Sequence, residues 1–199
     1  MQPPDHISPD PEDAHRRAAG IVAGLGLEQC IALVCGRDMY ATRDLPGLVP
    51  AVMMTDGPHG LRKQAGDADH LGLANSVPAT CFPVATVLAS SWDVELLHEV
   101  GRALGRECRG EDVAVLLGPG LNMKRHPRGG RNFEYFSEDP VLAGHLAAAI
   151  VDGIQSQGVG ACAKHFAANN QETSRMVVDA VIDERALREY YLRGFEIVV

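Results

Sequence analysis

The chain has 199 residues, of which 18 are Lys or Arg and 26 are Asp or Glu, so its formal charge is −8. With 46% hydrophobic and 22% charged residues, the composition is that of a globular protein and excludes a disordered or fibrous chain. The acidic balance argues against a general nucleic-acid or anionic-membrane binder, because phosphate groups recruit Lys and Arg. No apolar run approaches the ~20 residues that a membrane-spanning helix needs.

Residues 1–13 are rich in proline and acidic residues and carry no secretory signal, which predicts a loose leader. The five cysteines form no C-x-x-C pair, and we expect them to be reduced and mostly buried. These features predict a cytoplasmic location. The eight histidines form no H-E-x-x-H motif, so no metal site is expected.

Helical segments and apolar β-type runs alternate along the rest of the chain. Residues 14–35 have helical apolar spacing that is broken at Gly24 and Gly26, which predicts one or two helices. Four apolar runs follow that are typical of strands buried on both faces of a parallel sheet. They are Ala51–Thr55, Val84–Ala89, Val113–Leu117 and Val159–Ala163.

Three further helices are predicted between and after these strands. One covers Trp92 to Cys108, one follows an Asp139 cap with Pro140 at its first position, and one starts at Asp183. The alternation indicates an α/β fold, either doubly wound or a (β/α)8 barrel. About four strand–helix units fit in the chain, whereas a closed barrel has eight and typically ~250 residues. Because residues 194–199 are apolar and uncapped, we expect a fragment of a longer protein.

Polar residues gather directly after three of the predicted strands. Asp56 follows the first strand, Arg131 belongs to the long segment after the third, and Lys164 follows the fourth. Because the carboxyl ends of parallel strands meet at one edge, these side chains are candidates for a binding site. A carboxylate accepts from adjacent hydroxyls while Arg and Lys donate, which favours a small polyhydroxylated ligand. The single carboxylate, Asp56, would face three cations, Arg131, Lys164 and Arg175. This excess of positive charge predicts that further carboxylates are supplied from outside the chain.

Four long segments carry a family resemblance: TDGPHGLRKQ (55–64), FPVATVLASSWD (82–93), GRNFEYFSEDP (130–140) and KHFAANNQE (164–172). In this order they resemble the N-terminal barrel domain of glycoside hydrolase family 3, in particular its β-glucosidases. The resemblance implies that residues 14–199 form a partial (β/α)8 TIM-like barrel, roughly the first half. It also implies an intact protein that releases terminal β-linked glucose, or a relative such as xylose, by a retaining mechanism without cofactor or metal.

The resemblance implies roles for single residues. Asp56 is expected to bind outer hydroxyls of the terminal sugar, Arg131 to border that subsite, and Lys164 with His165 to bind the same sugar. Arg175 is expected to be a further sugar-site arginine. The family's nucleophile and acid/base have no counterpart in the sequence, so we expect a chain that is truncated before the nucleophile and inactive alone. The expected partner is a small-molecule β-glycoside, with no nucleic acid and no membrane, and a homo-oligomeric intact protein is left open.

Simpler roles remain open for the same residues. Asp56 could cap a Gly-Pro turn, and Arg131 could pair with Glu134 or Glu138. The lysine–histidine pair could be satisfied by local carbonyls, and Arg175 could be a solvated loop residue. For the whole chain, the main alternative is a non-catalytic carbohydrate-binding half-barrel module that acts with a partner chain. A nucleotide-binding oxidoreductase is less well supported, because no glycine pair continues as G-x-G-x-x-G.

Overall fold

A computed structural model describes residues 10–66 and 75–199 of the chain. In chain order the helices of these residues are α1 (Pro11–Ala23), α2 (Leu27–Val34), α3 (Ala85–Ala89), α4 (Val94–Gly110), α5 (Pro140–Gln155), α6 (Glu184–Ala186) and α7 (Arg193–Val198). A 3-10 turn covers Asn132–Glu134, and a π-helical turn at Leu187–Tyr191 separates α6 from α7. Each helix in the described ranges is too short or too polar to span a lipid bilayer.

The described residues contain a parallel sheet of β1 (Met54–Asp56), β2 (Val115–Leu117) and β3 (Gly160–Ala161). The strands lie side by side in chain order, and Leu116 stands beside Thr55 on one side and Ala161 on the other. The connection from β1 to β2 contains α3 and α4, and the connection from β2 to β3 contains α5. This repeated strand–helix order is the arrangement of part of a (β/α)8 barrel.

The strand predicted at Val84–Ala89 is wrong, because this segment forms α3. Ala85, Leu88 and Ala89 are its buried residues, and their spacing of three and four places them on one face of a helix. A short apolar run has no periodicity that separates a buried strand from a buried helix, so the tertiary contacts decide. Strands are present at the other three predicted positions: β2 and β3 lie within their predicted ranges, whereas β1 starts later and ends one residue later than predicted.

The predicted helix starts at Asp139 and Asp183 are confirmed, since each side chain accepts hydrogen bonds from backbone N–H groups of the first turn. α4 begins at an Asp93 cap, slightly after its predicted start. α1 begins at Pro11, inside the segment 1–13 for which a loose leader is predicted. Residues 1–9 of that predicted leader lie outside the described residues.

α4 and α5 pack closely against each other behind the sheet. A Cβ on Gly101 of α4 would lie 2.4 Å from the carbonyl oxygen of Ile150, and one on Gly153 of α5 would lie 2.2 Å from that of His98. The two helices therefore cross at glycines, where their backbones touch. The largest completely buried side chains around this crossing are Leu97, Leu104, Leu116, Leu146, Ile150 and Ile154. This core packs against the sheet and leaves the carboxyl ends of the strands free to form the site.

The five cysteines are all free in the structure, and their burial differs from the prediction. Cys108 is buried, whereas Cys35, Cys81 and Cys162 are exposed. The expectation of mostly buried thiols is therefore wrong. The cytoplasmic location stays a prediction.

Candidate active site

Polar side chains from all three strand ends meet at the carboxyl edge of the sheet. Asp56 is the last residue of β1, and Lys164 follows β3. Glu134 lies in the 3-10 turn of the segment after β2. The strand order predicts such a convergence for Asp56, Arg131 and Lys164, and Glu134 was not among the predicted site residues.

Gly120 joins two of these segments. It pairs with Lys164 on one side and with Tyr135 on the other. A Cβ at Gly120 would lie 2.7 Å from the carbonyl oxygen of Glu134 and 3.1 Å from the ring of Tyr135. Only glycine allows this approach, which places Glu134 within reach of Lys164.

Asp56, Lys164, Glu134 and Arg131 form a chain of alternating charges. The Lys164 Nζ atom lies 3.4 Å from Asp56 Oδ1 and 3.5 Å from Glu134 Oε2. Arg131 donates to both oxygens of Glu134, from Nε at 2.6 Å and from Nη2 at 3.0 Å. The Glu134 side chain is 8% exposed and Lys164 is 13% exposed, so these charges interact largely out of water.

The environment keeps Glu134 ionised. Burial raises the pKa of its carboxyl group, but the hydrogen bond from Arg131 and the charges of Lys164 and Arg131 outweigh it. The net effect is a pKa below the usual value for glutamate. Glu134 therefore remains a double acceptor for the two cations at neutral pH.

A cavity of about 250 Å³ opens beside this chain of charges, and we call it the Asp56 cavity. Asp56, Arg131, Lys164 and His59 are among its lining residues. The Tyr40 hydroxyl donates to Asp56 Oδ2 at 3.4 Å, and the Asp56 carboxylate is 38% exposed. Burial lowers the pKa of His59, against the charge of Glu134, so the His59 ring is neutral at neutral pH. The cavity thus presents the carboxylates of Asp56 and Glu134 beside three cationic donors, Arg62, Arg131 and Lys164.

A second cavity of about 450 Å³ adjoins the first, and we call it the His165 cavity. Arg131 lines both cavities, whereas His165 and Arg175 line the second. Arg175 is 52% exposed and donates to Glu172 at 3.1 Å. The structure therefore brings three of the predicted residues into one cavity and places the other two in its neighbour. No group of three or more His, Cys, Asp or Glu in the described ranges is arranged to hold a metal ion.

Comparison with known protein families agrees with this geometry. The family model described as the glycosyl hydrolase family 3 N terminal domain matches residues 28–199. The chain belongs to glycoside hydrolase family 3.

The family 3 chain is similar to several known glycosidases. It is 59% identical to thermostable β-glucosidase B of Acetivibrio thermocellus over 177 residues, which is 88% of the chain and 23% of that protein. It is 56% identical to an exo-α-(1→6)-L-arabinopyranosidase of Bifidobacterium longum over 180 residues, 89% of the chain and 24% of that protein. The chain thus spans about a quarter of the length of the curated relatives it matches.

A solved structure confirms the partial barrel. β-Glucosidase 3B of Thermotoga neapolitana in complex with glucose matches with a TM-score of 0.84 at 48% identity. The match covers 92% of the family 3 chain and 27% of that structure.

Sequence reasoning gave too little weight to two carboxylates of this family 3 site. Glu134 pairs with Arg131 and Lys164, and Glu172 pairs with Arg175. The predicted excess of positive charge is therefore wrong, because the chain itself supplies the balancing carboxylates. The spacing of three residues in each Arg–Glu pair was the available signal, since side chains three apart meet on one turn of helix.

Proposed function

We propose that the chain supplies the sugar-binding part of a retaining β-glycosidase that acts on terminal β-linked glucose or a closely related sugar. The observation that carries the proposal is the Asp56 cavity, where the partly exposed Asp56 carboxylate lies beside the donors Lys164 and Arg131. Membership of family 3, and relatives that are named β-glucosidases, support the same activity.

The contacts suggest how each residue binds the sugar. Asp56 accepts hydrogen bonds from two adjacent hydroxyls, while Lys164 and Arg131 donate to other oxygens. Glu134 holds both cations in place, because it bonds to each of them. Since the charges of Asp56, Lys164, Glu134 and Arg131 alternate and cancel, these four residues orient the sugar through directed hydrogen bonds.

Retaining hydrolysis needs two carboxyl groups about 5–5.5 Å apart, one as nucleophile and one as acid/base. The resemblance assigns neither role to a residue of this chain. We therefore expect the chain to bind glucose and to release no product from an aryl β-glucoside. Release of the aglycone that survives Asp56→Ala would overturn this expectation.

Glucose binding tests the proposal directly. The chain is titrated with glucose, and the dissociation constant is measured by ligand-observed NMR for the wild type and for Asp56→Asn. Loss of hydrogen bonds to a charged group costs about 1.5–3 kcal/mol, so binding is expected to weaken roughly 10- to 100-fold. Asp152→Asn is the matched control, because Asp152 is exposed on α5 outside both cavities. Equal affinities for Asp56→Asn and the control would refute the proposed site.

A second sugar is favoured by one specific observation. The arabinopyranosidase of Bifidobacterium longum is nearly as similar to the chain as the β-glucosidase is, at 56% against 59% identity. L-Arabinopyranose is therefore the second candidate for the bound sugar. Competition between glucose and L-arabinose for the wild-type chain separates the two, since the sugar that fits displaces the other at lower concentration.

A further inference from the structure

A chain of hydrogen bonds leads from Arg175 to His165. Arg175 donates to Glu172 at 3.1 Å, and Glu172 Oε1 lies 2.9 Å from Asn169 Nδ2. The same Asn169 nitrogen lies 3.0 Å from the hydroxyl oxygen of Tyr135. That hydroxyl oxygen lies 2.9 Å from His165 Nδ1. The four links form one connected path.

The donor and acceptor capacities of these groups favour one direction for the protons. The Glu172 carboxylate, paired with Arg175, only accepts, so the Asn169 atom that faces it is the amide nitrogen. That nitrogen also donates to the Tyr135 oxygen, and among the described residues His165 Nδ1 is the one acceptor within hydrogen-bond distance of the buried Tyr135 hydroxyl proton. His165 Nδ1 is therefore an acceptor, and a neutral ring carries its proton on Nε2.

We propose that Tyr135, positioned by Asn169 and Glu172, fixes the proton of His165 on Nε2, so that this ring meets the sugar as a neutral hydrogen-bond donor. Tyr135 is a positioning residue in this proposal, because it acts on the sugar only through His165. The inference rests on the proposed function for the identity of the ligand, but not for the position of the proton.

The surroundings hold this arrangement in place. Tyr135 is 1% exposed, and its backbone pairs with Gly120. The carbonyl of Asn169 accepts from the Asn122 side chain at 3.2 Å, which anchors the loop. Burial, together with the charges of Arg131 and Lys164, lowers the pKa of His165 to about 4. The ring is therefore neutral at neutral pH. The two tautomers of a neutral ring differ in which nitrogen donates a hydrogen bond and which accepts one.

The fixed tautomer has a consequence for sugar recognition. Nδ1 is occupied by Tyr135, so Nε2–H is the group left for a ligand in the His165 cavity. His165, Lys164 and Arg131 then all act as donors, whereas Asp56 acts as the acceptor. Sugar hydroxyls facing His165 must accept, and those facing Asp56 must donate.

Nitrogen NMR of the histidine ring tests the proton position directly. In a chain labelled with ¹⁵N-histidine, the His165 signals are identified by their loss in His165→Gln. At pH 7 we expect an unprotonated shift for Nδ1 and a protonated shift for Nε2 in the wild type. Should the wild-type chain self-associate, solid-state NMR of the sediment reads the same shifts. A protonated Nδ1 in the wild type would overturn the inference.

Two variants test whether Tyr135 sets the tautomer. Tyr135→Phe removes the donor to Nδ1, and Asn169→Ala leaves the Tyr135 ring in place but frees its hydroxyl to turn. Both are expected to shift His165 towards a mixture of tautomers. Tyr190→Phe is the matched control, because Tyr190 lies outside this hydrogen-bonded path, and it should leave the His165 shifts unchanged. Wild-type shifts in both Tyr135→Phe and Asn169→Ala would refute the role of Tyr135.

Sugar affinity separates this inference from the proposed function. Loss of one neutral hydrogen bond is expected to weaken glucose binding by Tyr135→Phe about two- to tenfold. If the wild-type chain binds no glucose while the NMR shifts behave as expected, the proposed function fails and the tautomer assignment stands. If glucose binds but Tyr135→Phe changes neither the shifts nor the affinity, the proposed function stands and the inference fails.

Discussion

Glu134 is the residue on which the charge balance of the site depends, and Glu134→Gln tests this with almost no change in shape. The substitution leaves the Arg131 guanidinium and the Lys164 ammonium without their shared carboxylate. Glutamine retains one carbonyl oxygen, so one of the two hydrogen bonds from Arg131 can persist. What is lost is a second, charge-assisted hydrogen bond and the attraction to both cations.

The size of the effect follows from the burial of the three groups. One charge-assisted hydrogen bond contributes about 1.5–3 kcal/mol, and breaking a buried ion pair costs about 3–5 kcal/mol. Arg131 and Lys164 keep contact with water, at 21% and 13% exposed, which reduces the cost of leaving them unpaired. We therefore expect the free energy of unfolding to fall by about 2–4 kcal/mol.

Urea denaturation at pH 7 measures this change, with Glu138→Gln as the control. Glu138 is exposed, and was the other carboxylate considered for Arg131, so its substitution should change stability by less than about 0.5 kcal/mol. Because the pKa of Glu134 is lowered in the folded state, its stabilisation is present above the ordinary value of 4.5 and is lost as the pH falls below it. The loss of unfolding free energy caused by Glu134→Gln should therefore be smaller in acid than at pH 7. Equal deficits for the two variants at pH 7 would refute the ion-pair network.

Three further predictions concern pH, packing and thiol chemistry. The pKa of His165 falls from 6.5 to about 4 on folding. The free energy of unfolding should therefore be highest above pH 6.5 and decrease as the pH falls towards 4. With allowance for partial exposure of the ring, the decrease is about 1–3 kcal/mol. The urea midpoint of His165→Gln should vary less across this window, and an equal slope would contradict the shift. Gly101→Ala should lower the free energy of unfolding by about 1–3 kcal/mol or more, because its Cβ would meet the Ile150 carbonyl. Gly20→Ala in exposed α1, where no atom lies within 4 Å of the added Cβ, should raise the free energy of unfolding by about 0.5–1 kcal/mol. A Gly101→Ala variant that is more stable than Gly20→Ala would refute the close contact between α4 and α5. Burial raises the pKa of Cys108 to about 11, so a thiol reagent at pH 8 should modify it only on unfolding, whereas exposed Cys81 reacts in the native protein. Equal native rates measured by peptide mass spectrometry would count against this.

Much of the site could be anticipated because its residues follow strands and lie in long family segments. Asp56, Arg131 and Lys164 line one cavity as the strand-end argument predicts. His165 and Arg175 line the adjoining cavity. Glu134 was foreseen only as one of two partners for Arg131, since the sequence offers no measure of which carboxylate is buried. That choice depends on the close approach at Gly120.

The sequence by itself determined the features that arise from neighbouring residues. The caps at Asp139 and Asp183 are local hydrogen bonds between a side chain and the next turn of backbone, and they are found where predicted. Tertiary structure alone decided that Ala85–Ala89 is a helix and that Glu134 lies beside Lys164. It also decided the path of hydrogen bonds from Tyr135 to His165. The contacts of Lys164 with Asp56 and Glu134, and of Tyr135 with His165, join residues 30 or more apart in sequence, whose distances only the folded backbone sets.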